Sequence, residues 1–422
     1  MTEVTDAVAW GVGMTASVDR WADVYRDIHA NPELGFAETR TAGIAASHLL
    51  NIGFEVTTGV GGTGVVGLVR NGPGPTVLVR ADMDALPVLE ATGLPYASTQ
   101  VSTDASGNQT PLMHACGHDV HVACLLGACE RLAGSRDTWS GTLMAVFQPA
   151  EEFGDGARAM IDDGLYTRFG KPVVVLGQHV APLPAGVIGL RAGAAFAAAD
   201  SLKVTLHGRG GHGSRPEASV DPVVMAAATV MRMQTIVSRE IPAGETAVVT
   251  IGTVHAGTAA NIIPDRVEMG LSVRTFSTDV RGRVLAAIER IARGEAATAG
   301  APRPPDVELT AFFPAVVNDE AACARTLPAL RSVSPMIVDP GPVTGSEDVG
   351  LFATAAGAPC VYWLLGGADP AGFDGATTID EIAARSRDLP SNHSPMFAPI
   401  IEPTLSTGIE ALAAAARIWL QQ

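Results

Sequence analysis

The sequence predicts an α/β protein in which a mostly parallel sheet with helices on both faces is interrupted by a smaller α+β unit. In the first half of the chain, short apolar runs rich in β-branched residues alternate with helix-like stretches, a pattern typical of parallel strands buried on both faces. From about residue 200 the order of elements changes to strand, helix, two strands, helix and strand. At 422 residues the chain is also longer than a single core usually supports, so two domains are expected.

The larger domain opens with two helices. Residues 17–50 carry apolar side chains at helical spacing and are broken at Asn31-Pro32, which predicts a loop between them. Four apolar runs then predict strands, with a helix at 119–133 between the second and the third. These runs are VVGLV (65–69), TVLVRA (76–81), TLMAVF (142–147) and VVVLG (173–177). Because ligands collect outside the carboxyl ends of parallel strands, the residues that follow these runs are the candidates for a site.

The middle of the chain predicts an inserted domain. Its strands are expected at 201–208, 247–257, 266–276 and 307–313, and its helices at 220–238 and 278–298. The order β-α-β-β-α-β is that of a ferredoxin-like sandwich. After residue 315 the α/β pattern resumes, with a strand at 360–366 and a closing helix at 402–420. We therefore predict one domain formed by residues 1–197 and 315–422, and a second formed by residues 198–314.

Charge and composition exclude several classes of function. A formal net charge of −16 argues against a nucleic-acid-binding protein, which needs clustered Lys and Arg. No apolar run reaches membrane-spanning length, and the amino-terminal segment lacks the pattern of a signal peptide. The five cysteines are odd in number and scattered, unlike a disulfide framework. We expect a cytoplasmic protein that has neither nucleic acid nor membrane as its partner.

Side chains that can bind a metal ion are most concentrated in MHACGHDVHVA (113–123). Cys116 and His118 stand two residues apart there, in a Gly-containing loop before a helix. Thiolate and imidazole are donors suited to zinc and other late first-row metals. A Cys-x-His pair on its own usually binds nothing, so the interpretation depends on further donors.

Other loops supply those donors. Glu151 and Glu152 follow one strand, His179 follows the next, and His393 lies in a polar loop late in the chain. Each of these residues alone is more simply explained as a surface or core residue. Together with the Cys-x-His pair they offer five ligands, too many for one tetrahedral ion and enough for two ions with positions open for water. The five candidate ligands are Cys116, His118, Glu152, His179 and His393. In the adjacent acidic pair, one carboxylate can bind metal while the other faces the attacking water.

The run RADMDALP (80–87) places Asp82 and Asp84 at the end of another strand. Such residues either cap a turn or helix or orient a liganding imidazole. We favour the orienting role for Asp84.

These segments resemble the aminoacylase/carboxypeptidase-type dinuclear metallopeptidase family, and within it the branch of hippurate hydrolase and the indole-acetyl-amino-acid hydrolases. The matching runs occur in the family's order and span nearly the whole chain. They are HANPELGFAET (29–39), RADMDALP (80–87), MHACGHDVHVACLLGA (113–128), FQPAEE (147–152), GQHVAP (177–182), GRGGHGSRPE (208–217), GTAANIIPDRVEMGLSVRTF (257–276) and NHSPMF (392–397).

The resemblance implies that the five candidate ligands hold two divalent metal ions, with Cys116 as the bridging thiolate and Glu151 as the general acid/base. Zinc is the expected metal, and manganese, cobalt and nickel are alternatives. More distant relatives carry His-x-Asp where this chain has Asp82-Met-Asp84. Asp82 is therefore not expected to be a direct ligand.

The resemblance also makes the inserted domain a lid and dimerisation domain. His212 would reach an active site and steady the tetrahedral intermediate, and in relatives that form lid-to-lid dimers it serves the neighbouring subunit. Asn261 and Arg274 would hold the substrate, including its carboxylate. A homodimer or a higher oligomer is the expected assembly.

The implied activity is cleavage of the amide bond of N-acyl amino acids, hippurate-like or N-acetyl conjugates, by a metal-activated water with Glu151 as general base. Two alternatives stay open. One is a metallo-dipeptidase or aminopeptidase whose pocket reads a free amino terminus, and the other is a non-catalytic binding protein on the same fold.

Overall fold

The computed structural model describes residues 18–103, 106–334, 336–376 and 378–420. The amino-terminal segment on which the signal-peptide prediction rests lies outside these residues. The chain forms two compact units, one of residues 1–195, 317–341 and 348–422, and one of residues 196–316 and 342–347. Within the described ranges, no helix is long and apolar enough to cross a membrane.

The described ranges contain eighteen strands and eleven α-helices. The strands are β1 (Glu55–Val60), β2 (Gly64–Asn71), β3 (Thr76–Asp82), β4 (Val101–Thr103), β5 (Gln109–Pro111), β6 (Gly141–Gln148), β7 (Val174–Pro184), β8 (Val187–Gly189), β9 (Gly193–Phe196), β10 (Ala198–His207), β11 (Gly211–His212), β12 (Ala247–Ala256), β13 (Ile262–Ile263), β14 (Arg266–Thr275), β15 (Asp306–Phe313), β16 (Val316–Asn318), β17 (Met336–Val338) and β18 (Cys360–Ala368). The helices are α1 (Val18–His29), α2 (Thr39–Asn51), α3 (His118–Ala133), α4 (Gly156–Asp162), α5 (Leu165–Phe169), α6 (Pro222–Thr235), α7 (Thr278–Thr298), α8 (Glu320–Arg331), α9 (Gly350–Ala356), α10 (Ile379–Ser386) and α11 (Thr404–Leu420).

The larger unit is built on an eight-stranded sheet in the order β1-β2-β6-β3-β7-β18-β8-β17. The four central strands β6, β3, β7 and β18 are parallel, while β2 and β1 extend the sheet antiparallel at one edge. Val77 and Val79 of β3 belong to a core shared with α3 and α11. Leu78 is buried on the opposite face of the sheet, where α4 and α9 pack. The predicted mostly parallel sheet with helices on both faces is therefore confirmed.

The smaller unit is a four-stranded antiparallel sheet in the order β12-β14-β10-β15. Along β14, buried and partly buried side chains alternate, and the buried ones pack in a core with α6 and α7. The chain order β10-α6-β12-β14-α7-β15 with these strand neighbours is the predicted ferredoxin-like arrangement. Helices cover one face of this sheet, and much of edge strand β12 is exposed.

Residues 342–347 group with the smaller unit, whereas the sequence prediction places them in the larger domain. The backbone N–H of Ala197 donates to the carbonyl oxygens of Val343 and Gly345, each at 3.0 Å. Arg274 also donates to the hydroxyl of Ser346 at 2.9 Å. These bonds join residues far apart in the chain, so the linear pattern of helices and strands does not reveal them.

Candidate metal centre

Cys116 and His118 stand on a sharp turn that leads into α3. Gly117 lies between them with φ of 83°, in the left-handed region that favours glycine. A Cβ atom at this position would come within 2.3 Å of Cγ1 of Val180. The turn therefore requires glycine for both its conformation and its packing. It makes His118 the first residue of α3 and leaves Sγ of Cys116 3.5 Å from Nε2 of His179.

His179 lies inside β7, whereas the sequence predicts it directly after the strand. The strand continues because β18 pairs with it beyond this point, with Leu364 opposite His179. Nδ1 of His179 lies 2.8 Å from the carbonyl oxygen of Val180, which can only accept. The proton therefore sits on Nδ1, and the lone pair of Nε2 faces the thiol of Cys116.

His118 is oriented in the same way by Asp84, whose Oδ1 lies 3.2 Å from Nδ1 of the ring. Nε2 of His118 is buried and has no hydrogen-bond partner among the residues that the structure describes. It lies 3.9 Å from Oε1 of Glu152 and 4.0 Å from Oε2 of Glu151. A buried polar atom without a partner costs stability, and a metal cation would satisfy it. The donor set therefore fits a metal ion.

Charge in this region also favours a cation. Burial lowers the pKa of His118, but the carboxylates of Asp82 and Asp84 outweigh burial and raise that pKa to about 10. Burial raises the pKa of the Cys116 thiol well above its usual value, and Glu152 and Glu151 raise it further. Thiolate formation at Cys116 consequently requires a positive charge beside the sulfur.

Glu152 and His393 form a second donor group around the same thiol. Oε1 of Glu152 lies 3.2 Å from Nε2 of His393, and the backbone N–H of His393 donates to the carbonyl oxygen of Ala115 at 2.8 Å. The ligand atoms of Cys116, Glu152 and His393 all lie within 4.8 Å of one another. The same holds for Cys116, His118 and His179. The structure thus brings all five predicted ligands together as two groups that share one sulfur.

Glu151 stands beside both groups. Its side chain is buried, and it forms a further compact group with His118 and Glu152. Because Glu151 and Glu152 are consecutive residues of one loop, a predicted base and a predicted ligand are held by the same stretch of backbone.

Buried hydrogen bonds among residues next to the donor groups support the centre. His121 accepts the backbone N–H of Val180 at Nε2, at 2.9 Å, so its Nδ1 donates to Oδ1 of Asp82. Oδ2 of Asp82 accepts from Arg80 at 2.7 Å. Burial raises the pKa of Asp82, but Arg80 and the adjacent histidines outweigh burial and hold this pKa well below its usual range. Both oxygens of Asp82 therefore bond to neighbouring side chains, and Oδ2 also lies 3.6 Å from Nε2 of His118. The ligand atoms of Asp82, His118 and His121 form a further compact group, so the exclusion of Asp82 from the ligands stays a prediction.

His121 is absent from the predicted site, although the sequence carries a signal for it. It follows His118 by three residues on a helix, and residues at that spacing share one face. The two rings are stacked with their centroids 5.4 Å apart.

The residues predicted to act from the inserted domain all lie in the smaller unit. His212 is exposed on β11, and its Nδ1 accepts the backbone N–H of Ser214 at 3.1 Å. His212 and Asn261 line one groove of about 970 Å³. Arg274 is half-buried on β14, where burial lowers its pKa. The roles of these three residues stay predictions.

The larger unit thus places a cluster of thiol, imidazole and carboxylate donors at one edge of a mostly parallel sheet, which defines a metal-binding α/β protein. The sequence profile described as peptidase family M20/M25/M40 matches residues 78–387. The chain belongs to this family.

Individual relatives agree with this assignment. The chain is 38% identical over 351 residues to the hippurate hydrolase of Campylobacter jejuni, covering 81% of this chain and 86% of that protein. It is 37% identical over 356 residues to thermostable carboxypeptidase 2 of Saccharolobus solfataricus, covering 83% and 86% respectively. The crystal structure of a dinuclear metal-binding M20 peptidase from Bacillus subtilis matches with a TM-score of 0.77 at 30% identity, over 96% of this chain and 99% of that one. The protein is a hydrolase acting on C–N amide bonds, and the predicted family and enzyme class are confirmed.

Proposed function

We propose that the protein cleaves the amide bond of N-acyl amino acids, hippurate-like or N-acetyl conjugates, with a metal-activated water and Glu151 as general base. The observation that carries this proposal is the shared thiol: two donor groups meet at Sγ of Cys116, with Glu151 beside them. The proposed ligands of two divalent ions are Cys116, His118, Glu152, His179 and His393.

When bound, two such ions lower the pKa of a water molecule and polarise the amide carbonyl. Cys116 would hold these ions as a thiolate, and the imidazoles of His118 and His179 would offer their Nε2 lone pairs. Thiolate and imidazole donors favour zinc, with manganese, cobalt and nickel as alternatives.

Glu151 in this proposal takes the proton of the attacking water and passes it to the departing amine. The buried carboxylate of Glu151 is suited to this exchange, because it lies next to the proposed metal ligand Glu152 and the same loop fixes its position relative to the water. Proton transfer of this kind contributes roughly 10²- to 10⁴-fold to the rate of such reactions.

Peptide hydrolysis by the same centre is the second candidate, favoured by the similarity to the carboxypeptidase of Saccharolobus solfataricus. A dipeptidase or aminopeptidase would share the metals and the base and would differ in reading a free amino terminus. A non-catalytic binding role fits poorly with a full donor set and a carboxylate beside it.

We further propose that the smaller unit is a lid and dimerisation domain and that the enzyme is a homodimer. Met231 of α6 is 72% exposed and Val254 of β12 is 51% exposed, and both line an apolar groove. A second copy of the chain would cover these side chains. His212 would steady the tetrahedral intermediate, and Asn261 and Arg274 would hold the substrate, since a guanidinium group suits a carboxylate.

The cysteine pattern supports a reducing compartment, and we propose the cytoplasm. All five cysteines are free and buried. Structural disulfides are rare where glutathione and thioredoxin keep thiols reduced.

A small substrate panel tests the proposed function. Purified metal-loaded enzyme is assayed on hippurate, several N-acetyl amino acids and several dipeptides with free amino termini. We expect kcat/KM to be higher for an acylated amino acid than for any of the dipeptides. Preference for the dipeptides would favour the second candidate, and no turnover of any amide by metal-loaded protein would favour a binding protein.

A further inference from the structure

Glu38 is a fully buried carboxylate that reaches the loop carrying Glu151. Oε1 of Glu38 accepts the backbone N–H of Ala150 at 2.8 Å, and Oε2 accepts the hydroxyl of Thr63. Burial raises the pKa of Glu38, and the nearby carboxylate of Asp84 adds to this increase. The hydrogen bonds from Thr63 and from the backbone of Ala150 oppose this rise, so each oxygen of the buried carboxyl group has a partner on a different loop.

Helix capping does not account for the position of the Glu38 carboxylate. Glu38 occupies the N-cap position of α2, but its side chain makes no capping hydrogen bond. Glu33 caps this helix instead, accepting the backbone N–H groups of Arg40 and Thr41, each at 2.8 Å. The carboxylate of Glu38 is therefore directed to the loop rather than to its own helix.

The residue that Glu38 holds has an unfavourable backbone conformation. Ala150 has φ of 48°, in the left-handed region that residues with a Cβ atom rarely adopt. This turn sets the direction in which Glu151 and Glu152 leave the end of β6. The loop also packs closely on the segment before α2, where a Cβ atom at Gly35 would lie 2.8 Å from the ring of Phe153 and 3.0 Å from Cα of Ala150.

We infer that Glu38 is a positioning residue for the reaction, because it fixes the turn at Ala150 that aims Glu151 at the attacking water. This inference rests on the proposed function, in which Glu151 is the base. Loss of the contact should lower kcat more than it raises KM, since the turn places the base and makes no substrate contact in this account. Misplacing a reacting group by about 1 Å can cost on the order of 100-fold in rate.

The test compares Glu38→Ala, Glu38→Asp and Glu38→Gln, each loaded with metal and checked for bound ions before assay. Ala removes the acceptor, and Asp shortens the side chain by one methylene so that it no longer spans both contacts. We expect both variants to lose about 10- to 100-fold in kcat. Gln keeps the length, accepts from Ala150 through its oxygen and donates to Thr63 through its amide, so we expect kcat within about threefold of wild type.

Glu33→Gln is the matched control, because it weakens the cap of α2 from the same segment without touching the loop. We expect this variant to melt at a lower temperature with an unchanged kcat. Wild-type kcat in Glu38→Ala would overturn the inference, as would equal losses of kcat in the Glu33 and Glu38 variants. If Glu38→Ala does not fold, the Asp and Gln variants provide the test. Wild-type kcat in Glu38→Asp would overturn the inference. An equal loss of kcat in Glu38→Gln and Glu38→Asp would overturn it as well.

A Glu151→Gln variant in the same assay separates this inference from the proposed function. Wild-type turnover by Glu151→Gln would show that Glu151 is not the base, and the proposed function and the role of Glu38 would both be refuted. If kcat falls in Glu151→Gln but stays at the wild-type value in Glu38→Ala, only the positioning role of Glu38 is refuted.

Discussion

Asp84 lies with Oδ1 3.2 Å from Nδ1 of His118, and both side chains are buried. The other oxygen of Asp84 accepts the backbone N–H of Glu152 at 2.9 Å. One carboxylate therefore fixes the tautomer of an imidazole donor and the position of a carboxylate donor at the same time. Such supporting contacts set how well a site binds its metal.

Asp84→Asn should weaken metal binding while leaving the fold intact. The amide nitrogen of the substituted side chain would face either the Nδ1–H of His118 or the backbone N–H of Glu152, both of which now donate to the carboxylate. We expect about a 10- to 100-fold loss of metal affinity, measured by competition with a chelator. Asp306→Asn serves as control, because Asp306 pairs with His207 in the smaller unit. Unchanged affinity in Asp84→Asn would contradict the orienting role.

Glu151→Gln should abolish most turnover without releasing metal. The amide cannot take a proton from water, and the side chain keeps its size within a buried site. We expect kcat to fall roughly 10²- to 10⁴-fold, with both ions still present by elemental analysis. Wild-type turnover by a fully metal-loaded variant would rule out Glu151 as the base.

His29 should make stability depend on pH. Its Nδ1 lies 2.6 Å from Asp119 and its Nε2 lies 3.1 Å from Glu90. Burial lowers the pKa of His29, but these carboxylates outweigh burial and raise that pKa to about 10. The imidazolium therefore stabilises the fold fully below the unfolded-state pKa of about 6.5, and this contribution is lost as the pH rises through the folded-state pKa.

Denaturant unfolding at several pH values measures this effect. Between pH 7 and pH 10 the free energy of unfolding of the wild type should fall relative to that of His29→Gln, by at most about 1.4 kcal/mol per pH unit. A constant difference between the two proteins over this range would show that His29 carries no raised pKa.

Met231→Asp should shift the assembly toward monomers if the exposed face of α6 is covered by a second copy. A carboxylate placed in an apolar interface loses hydration without gaining a partner. Sedimentation velocity at micromolar concentration measures the change. Leu50→Asp is the matched control, since Leu50 is 59% exposed near the end of a helix in the larger unit. A wild-type protein that sediments as a monomer would refute the proposed dimer.

Much of the fold follows from local sequence pattern. The apolar runs at 65–69, 76–81 and 142–147 lie within β2, β3 and β6, and the helix predicted at 119–133 corresponds to α3. The order of elements in the middle of the chain predicts the ferredoxin-like arrangement of the smaller unit. These features depend on periodicity and on neighbouring residues, which one sequence displays directly.

The parts of the candidate site that the sequence leaves unpredicted depend on contacts between distant segments. Glu38 lies 112 positions before Ala150, and its helix-cap location suggests a local role. The grouping of 342–347 with the smaller unit likewise depends on bonds to Ala197. His179 falls inside β7 because β18 extends alongside it, a pairing that no residue of β7 encodes alone.

Metal removal and return is the decisive test of hydrolysis at a dinuclear centre. The protein is stripped with a chelator, reloaded with zinc, and followed by metal content and hydrolysis of an N-acyl amino acid in the same samples. We expect two ions per chain in the active protein, loss of turnover in the stripped protein, and recovery of turnover as the second ion returns. Undiminished turnover by protein shown to contain no metal would refute metal-dependent hydrolysis.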